Sequence, residues 1–193
     1  MGRERGRQGI DVLLHPSPRR RRAGGRQRQD LSQIRVESFS HTSTRPWATI
    51  KTRIRAIELE CFGRQHAFTD EELRRAFTGR RSLAVLLWDG PSSGDGVLIG
   101  YTQAEPRAPD TFYIANTAIA KSHQGRGLVK LLMEQLYADV RAAGARFLER
   151  DVAIANGYAD KLTRLHAADV LETYDHASPY GPQRFIRMRV PAP

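Results

Sequence analysis

A single cysteine, Cys61, stands in the 193 residues. That excludes an internal disulfide framework and any cysteine-based zinc cluster. Long apolar runs are also missing. None approaches the ~20 residues that span a bilayer, so a cytoplasmic protein without a membrane partner is expected. The glycine-rich segment Ser122–Leu132 lacks the lysine and Ser/Thr of a Walker loop, and its spacing lacks the third glycine of a dinucleotide fingerprint. A nucleoside triphosphate or nicotinamide dinucleotide is therefore poorly served. His123 and His166 have no partner at metal spacing, and no metal is expected.

Acidic residues are scarce relative to basic ones, and the net charge is +10. Residues 1–30 hold nine arginines against Glu4, Asp11 and Asp30, a balance of +6, which leaves +4 for the remainder. We expect a disordered basic tail over 1–30 and one domain over 31–193. The tail is either solvated or an arm for RNA phosphates with salt-sensitive affinity. No apolar segment follows Arg19–Arg22, and Gly6 stands where myristoylation needs Ser or Thr, so secretory and lipid-anchor patterns fail.

What is present reads as a mixed fold. Near-alternation of Ile34, Val36 and Phe39 predicts a strand over 33–39. Ile50, Ile54, Ile57 and Cys61 recur at helical spacing and predict an amphipathic helix over 48–62. Thr69 and Glu72 form a capping box that opens a helix over 70–78. Strands are expected over 83–88, 97–103, 111–120 and 147–153, and two more over 169–175 and 183–190. Leu128, Leu132, Leu136 and Val140 stripe a helix ending at Gly144, and a further helix covers about 157–167. The fold class is α/β (α+β): a single mixed, mostly antiparallel sheet flanked by helices.

The strand over 111–120 runs straight into Gln124-Gly125-Arg126-Gly127-Leu128 and then a helix. Helix-initial amides have no intrahelical partner and carry the positive end of the macrodipole, while glycines let an anion approach the backbone. A plain tight turn is the competing reading. Led in by Asn116-Thr117-Ala118-Ile119-Ala120, this segment resembles the acyl-CoA-binding motif of the GNAT-type N-acetyltransferase superfamily. The resemblance covers the element order from about residue 33 onward and implies the acyl-CoA N-acyltransferase fold, with acetyl-CoA as co-substrate.

The resemblance further implies that the amides of Gln124, Gly125, Arg126, Gly127, Leu128 and Val129 cradle the pyrophosphate. The backbone of Ala118 and Ile119 would pair with the pantetheine arm, and Asn156 would lie near the thioester. The strands over 111–120 and 147–153 would splay to admit the cofactor. Two departures stand out: Val129 replaces a Gly/Ala, and Thr163 stands where many members have a tyrosine acid.

The implied reaction is direct attack of an amine on the thioester, which needs a base, an acid and a polarised carbonyl. Glu105, Asp110 and Glu60 are candidate bases, each also readable as a solvated carboxylate. Tyr158, Tyr174 and Tyr180 are candidate acids, with core packing the competing role of Tyr158. Cys61 reads as core. The acceptor stays open among a small amine, a protein amino group and an aminoacyl-tRNA, and a homodimer stays open. The basic tail and the Arg53/Arg55 face lean toward the aminoacyl-tRNA acceptor. The alternative function, motivated by Val129, Thr163 and the lack of an obvious base, is a nucleic-acid (RNA/tRNA) binding protein on this fold with reduced or no catalysis.

Overall fold

The structure, a computed structural model, describes residues 33–90, 96–155 and 157–192. The basic tail, most of the loop after Gly90, and Asn156 lie outside the described residues. Seven strands form one sheet: β1 (Ile34–Ser40), β2 (Leu83–Asp89), β3 (Val97–Ala108), β4 (Thr111–Ile119), β5 (Phe147–Ala153), β6 (Val170–Ser178) and β7 (Gly181–Arg189). Their order is β1-β2-β3-β4-β5-β7-β6. Every neighbouring pair is antiparallel except β4 and β5. The helices are α1 (Trp47–His66), α2 (Asp70–Thr78), α3 (Leu128–Ala142) and α4 (Tyr158–Leu165).

Local chemistry accounts for the helix ends. Thr69 Oγ1 accepts from the Glu72 amide at 3.2 Å and the Glu72 carboxylate accepts from the Thr69 amide at 2.9 Å, so two orphan donors are satisfied at the start of α2. Helix α1 is assigned to His66, but Gly63 adopts φ 68° and ψ 170°, which breaks it. The regular turns thus end at Phe62, where the apolar stripe ends. Strand β3 runs to Ala108, beyond the expected 97–103. The proline at 106 does not end it, because the ladder takes it in beside a register shift between Pro106 and Ala108.

The sheet divides the core into layers. On one face, α1 and α2 pack on the β1–β4 side, burying Ile50, Ile54, Ile57, Leu73 and Phe77 against Phe39, Leu86 and Tyr101. On the other, Leu128, Leu132, Leu136 and Val140 of α3 pack on Val85, Leu87, Ile99, Ile114 and Leu148, while Ala159 and Leu162 of α4 meet Val152 and Ile186. Each fully buried aliphatic side chain contributes about 1.5–3 kcal/mol of transfer free energy. Helices α1 and α2 stop at β4, so the same face over β5, β7 and β6 carries a polar surface instead.

Candidate active site

Strands β4 and β5 pair through Thr111↔Phe147, Phe112↔Leu148 and Tyr113↔Glu149, and then part. Both continue, β4 to Ile119 and β5 to Ala153, so the sheet opens toward their C-terminal ends. An additional twist comes from a bulge: Gln103 pairs with Asn116 and Ala104 with Ile114, leaving Ala115 as the extra residue of β4. In open sheets, a crevice at the carboxyl ends of parallel strands is where ligands bind.

The end of β4 sets which backbone groups face the opening. The Ala120 amide donates to the Ile99 carbonyl at 2.8 Å, and Ile119 and Ala118 pair in turn with Gly100 and Tyr101. Antiparallel ladders alternate, so Ala118 directs its N–H and C=O at β3, and Ile119 directs its own away from β3, toward the opening. The Ile119 carbonyl accepts from Gln124 Nε2 at 2.9 Å and from Cys61 Sγ at 3.2 Å. Glu60 accepts from the Lys121 amide at 2.7 Å. Helix α1 therefore holds the start of the glycine turn in place.

Gly125 and Gly127 have φ 76° and 75°, which L side chains rarely adopt, and a Cβ on either would point into open space. Gly127 is the N-cap of α3 and has no side-chain cap. The Val129 side chain packs against the α3-side core rather than over the turn. The helix-initial amides are thus presented at the open end of the β4–β5 gap.

The polar surface beyond the gap is built by period-two alternation in five strands. Glu105 lies opposite Tyr113 in register. The Tyr113 hydroxyl donates to Asp151 Oδ2 at 2.7 Å, and Asp151 Oδ1 lies 2.8 Å from His176 Nε2. Asp151 and Tyr113 are buried, and the His176 side chain is 21% exposed, so this chain of groups runs from the interior to solvent. Glu149 is bound by Arg107 at 3.0 Å and approached by Arg187 at 3.7 Å. Tyr174 stacks on Phe185 with centroids 4.9 Å apart. Across this surface, His66 of the α1 end meets Tyr180 of the β6–β7 turn edge-on at 5.2 Å.

Under α1 sits a second carboxylate. Glu58 is fully buried and accepts from the Phe68 amide at 2.9 Å, from Asn116 Nδ2 at 2.9 and 3.1 Å, and from the Tyr101 hydroxyl. Burial pushes its carboxyl up to about 7, against the pull of these donors and of Arg55. Burial likewise pushes the Cys61 thiol up to about 11, which suits a core residue rather than a nucleophile.

The other residues singled out from the sequence are dispersed. Asp110 lies at the closed end of the β4–β5 pair, beside Arg146 at 3.9 Å. Thr163 Oγ1 donates back to the Ala159 carbonyl at 2.9 Å within its own helix. Tyr158 opens α4 just past β5, partly buried against Val152 and Ile186. His123 is held by Asp89 at 3.1 Å, and His166 caps α4, with burial holding its imidazole below the usual range. Arg53 donates to the Leu98 carbonyl at 2.8 Å, and Arg55 is engaged by Asp70 at 3.1 Å and by the Phe68 carbonyl. Those two guanidiniums are tied within the domain, which weakens the feature that leaned toward an aminoacyl-tRNA acceptor.

Sequence reasoning passed over Glu58, Asp151 and His176. A partial signal for Asp151 was there: Glu149 and Asp151 fall on the same face of the strand at period two, although Arg150 between them blurs the alternation. Among the described residues, no group of three or more His, Cys, Asp or Glu could hold a metal ion, and no helix is long and apolar enough to cross a membrane.

A mixed sheet that parts between its two parallel strands, with a glycine turn and a helix start at the mouth, defines an acyl-CoA N-acyltransferase fold. The profile of the Acetyltransferase (GNAT) family matches residues 51–167, and the chain belongs to that family. It is an N-acetyltransferase, and the RNA-binding alternative is not favoured. Solved structures agree in fold. The ribosomal-protein-S18-alanine N-acetyltransferase of Escherichia coli is 16% identical with a TM-score of 0.62, covering 83% of this chain and 96% of its own. The spermidine/spermine N-acetyltransferase SpeG of Vibrio cholerae is 13% identical with a TM-score of 0.58, covering 82% and 94%. A chain of the NatC complex bound to Gag peptide and CoA is 15% identical with a TM-score of 0.58, covering 81% and 98%. No curated protein sequence matches the chain significantly.

Proposed function

We propose that the protein transfers the acetyl group of acetyl-CoA to a primary amine by direct attack, with the donor lying in the gap between β4 and β5. The observation that carries this reading is the parting of that parallel pair after Tyr113↔Glu149, with Gly125 and Gly127 at the mouth. A similarly folded chain belongs to a complex whose name includes CoA, and other relatives in fold are named for polyamine or protein-amine acceptors.

In this reading the amides of Gln124 to Val129 hold the pyrophosphate, helped by the α3 dipole. Ile119 offers its backbone to the pantetheine arm as an added strand would. Asn156 keeps the place near the thioester that the family resemblance gives it. The acceptor lies on the polar surface of β4, β5, β7 and β6, under the His66–Tyr180 contact. Glu105, opposite Tyr113 where the strands part, draws a cationic amine toward that surface without touching the reacting nitrogen. Tyr158, at the start of α4, supplies a proton to the departing sulfur. Holding both substrates in one site provides much of the rate gain.

Calorimetric titration of acetyl-CoA into the full chain tests the reading. We expect one-to-one binding in the micromolar range. Absence of binding at millimolar acetyl-CoA overturns it and reduces the glycines to a turn.

A further inference from the structure

The parted strands leave a question of proton transfer, because an amine arrives as an ammonium and must lose a proton before it can attack. The family match assigns no residue to this step. On the face that looks onto the gap, Asp151 is the first residue of β5 beyond the last β4–β5 pair that points to the same side as Tyr113 and Glu149. Its carboxylate is buried and has two partners, the Tyr113 hydroxyl at 2.7 Å and His176 Nε2 at 2.8 Å. A carboxylate accepts, so Nε2 carries the hydrogen in that contact and Nδ1 is left as the basic nitrogen. Nδ1 is directed at the Ala177 carbonyl at 3.3 Å, an acceptor that gives it no hydrogen, so the ring turns from that oxygen toward the substrate nitrogen to take a proton.

A second observation points to a ligand at the same place. Gln183 is the register partner of both Ala153 and His176. It is 1% exposed, and its Oε1 has no hydrogen-bond partner. Gln103, on the other side of the gap opposite Asn116, is fully buried with both amide atoms unpartnered. Buried polar atoms without partners are costly, about 1–3 kcal/mol each, unless something else supplies the contact. A carbonyl oxygen beside a carboxylate and a basic imidazole is complementary to an ammonium.

We propose that His176 is the catalytic base that takes the proton from the acceptor ammonium, with Asp151 as the residue that positions it and Gln183 Oε1 as a docking acceptor for the same nitrogen. This rests on the N-acetyltransferase reading above. One proton passes from the ammonium to His176 Nδ1. The freed lone pair attacks the thioester carbon, the N–C bond forms and the C–S bond breaks. The nitrogen's second proton leaves as the amide forms and reaches the sulfur by way of the Tyr158 hydroxyl. The groups facing the imidazole are Asp151 from β5, Tyr113 from β4 through that carboxylate, Gln183 from β7, and Tyr174 on its own strand. Asp175, next along β6, is held by Arg184 at 2.6 Å and feels the imidazole's charge.

The test uses the full chain, acetyl-CoA and n-butylamine as the probe acceptor, with thiol release as the signal. His176→Gln is expected to lower kcat by about a hundredfold or more. Its affinity for acetyl-CoA stays within about twofold of wild type, because the glycine turn follows β4 and His176 is on β6, three strands along the sheet. The defect shrinks as pH rises toward the amine's own pKa, since a free amine needs no base. Asp151→Asn lowers kcat with the same pH trend, and added imidazole restores part of the rate in His176→Gly. A His176→Gln enzyme with wild-type kcat, or with an equal defect at every pH, overturns the proposal. So does a wild-type enzyme that binds acetyl-CoA yet turns over no butylamine, because the ammonium site described makes no demand on the rest of the acceptor. Failure to bind acetyl-CoA at all sinks the parent reading instead, so the two failures are distinguishable.

Discussion

The two halves of one sheet face treat their carboxylates in opposite ways. Under α1 and α2, Glu58 is sealed among apolar side chains and burial holds its carboxyl near neutrality even though three donors converge on it. Beyond β4, where no helix covers this face, Asp151 and Glu149 each keep a cationic or imidazole partner, and the aromatic residues Tyr174 and Tyr180 stand partly in solvent. The helices make the difference, since both halves of the face are built from the same paired strands. A covered polar group is a structural element that holds α1 to β3 and β4. An uncovered one is available to a substrate.

That contrast can be sharpened first where the covered half is densest. Phe77 is fully buried and meets Phe39, Trp47 and Tyr101. Phe77→Ala is expected to cost about 3–5 kcal/mol in denaturant unfolding. A loss below about 1 kcal/mol would mean that the helices lie loosely on β1–β4.

The next effect is the pH dependence of stability from Glu58. Its folded carboxyl titrates at about 7 against 4.5 in the unfolded chain, so the folded state holds the extra proton between these values. The contribution is fully present below about 4.5 and is lost as pH rises through about 7. At about 1.4 kcal/mol per pH unit, the loss is about 3 kcal/mol. Unfolding measured from pH 4.5 to 8 should show this decline, and Glu58→Gln should flatten it. A decline that survives the substitution would place the titrating group elsewhere.

The smallest effect belongs to the open half. Tyr174 is 51% exposed and stacked on Phe185. Tyr174→Ala is expected to lower stability by about 1 kcal/mol. A cost equal to that of Phe77→Ala would erase the distinction between the halves.

Much of this fold was legible in the sequence. The capping box gave the start of α2, the i, i+4 stripe of Leu128 to Val140 gave α3, and short apolar runs gave the strands, because each signal is local. The glycine turn was legible for the same reason, since positive φ at Gly125 and Gly127 writes itself as glycine. The polar surface was not, because it is assembled across strands that are distant in the chain. Asp151 and His176 meet over β7, and nothing in the spacing of 25 residues between them announces the contact. Glu58 was hidden differently. Its position beside Ile54, Ile57 and Cys61 puts a charge on an apolar stripe, and only the arrival of Tyr101, Asn116 and Phe68 shows why the stripe tolerates it.

The strand order carries a consequence for how the molecule comes into being. Strands β2 to β4 are a meander in which each joins its predecessor, and β1 joins β2 across the α1–α2 segment, so that half, with the glycine turn, can pair in chain order. The other half cannot, because β7 inserts between β5 and β6, which both precede it in the chain. A ribosome-bound chain that ends before β7 therefore has the glycine turn already written but no strand to bring His176 over Asp151. The pair can form only once β7 has joined β5 to β6, so completing this site requires the last of the described strands.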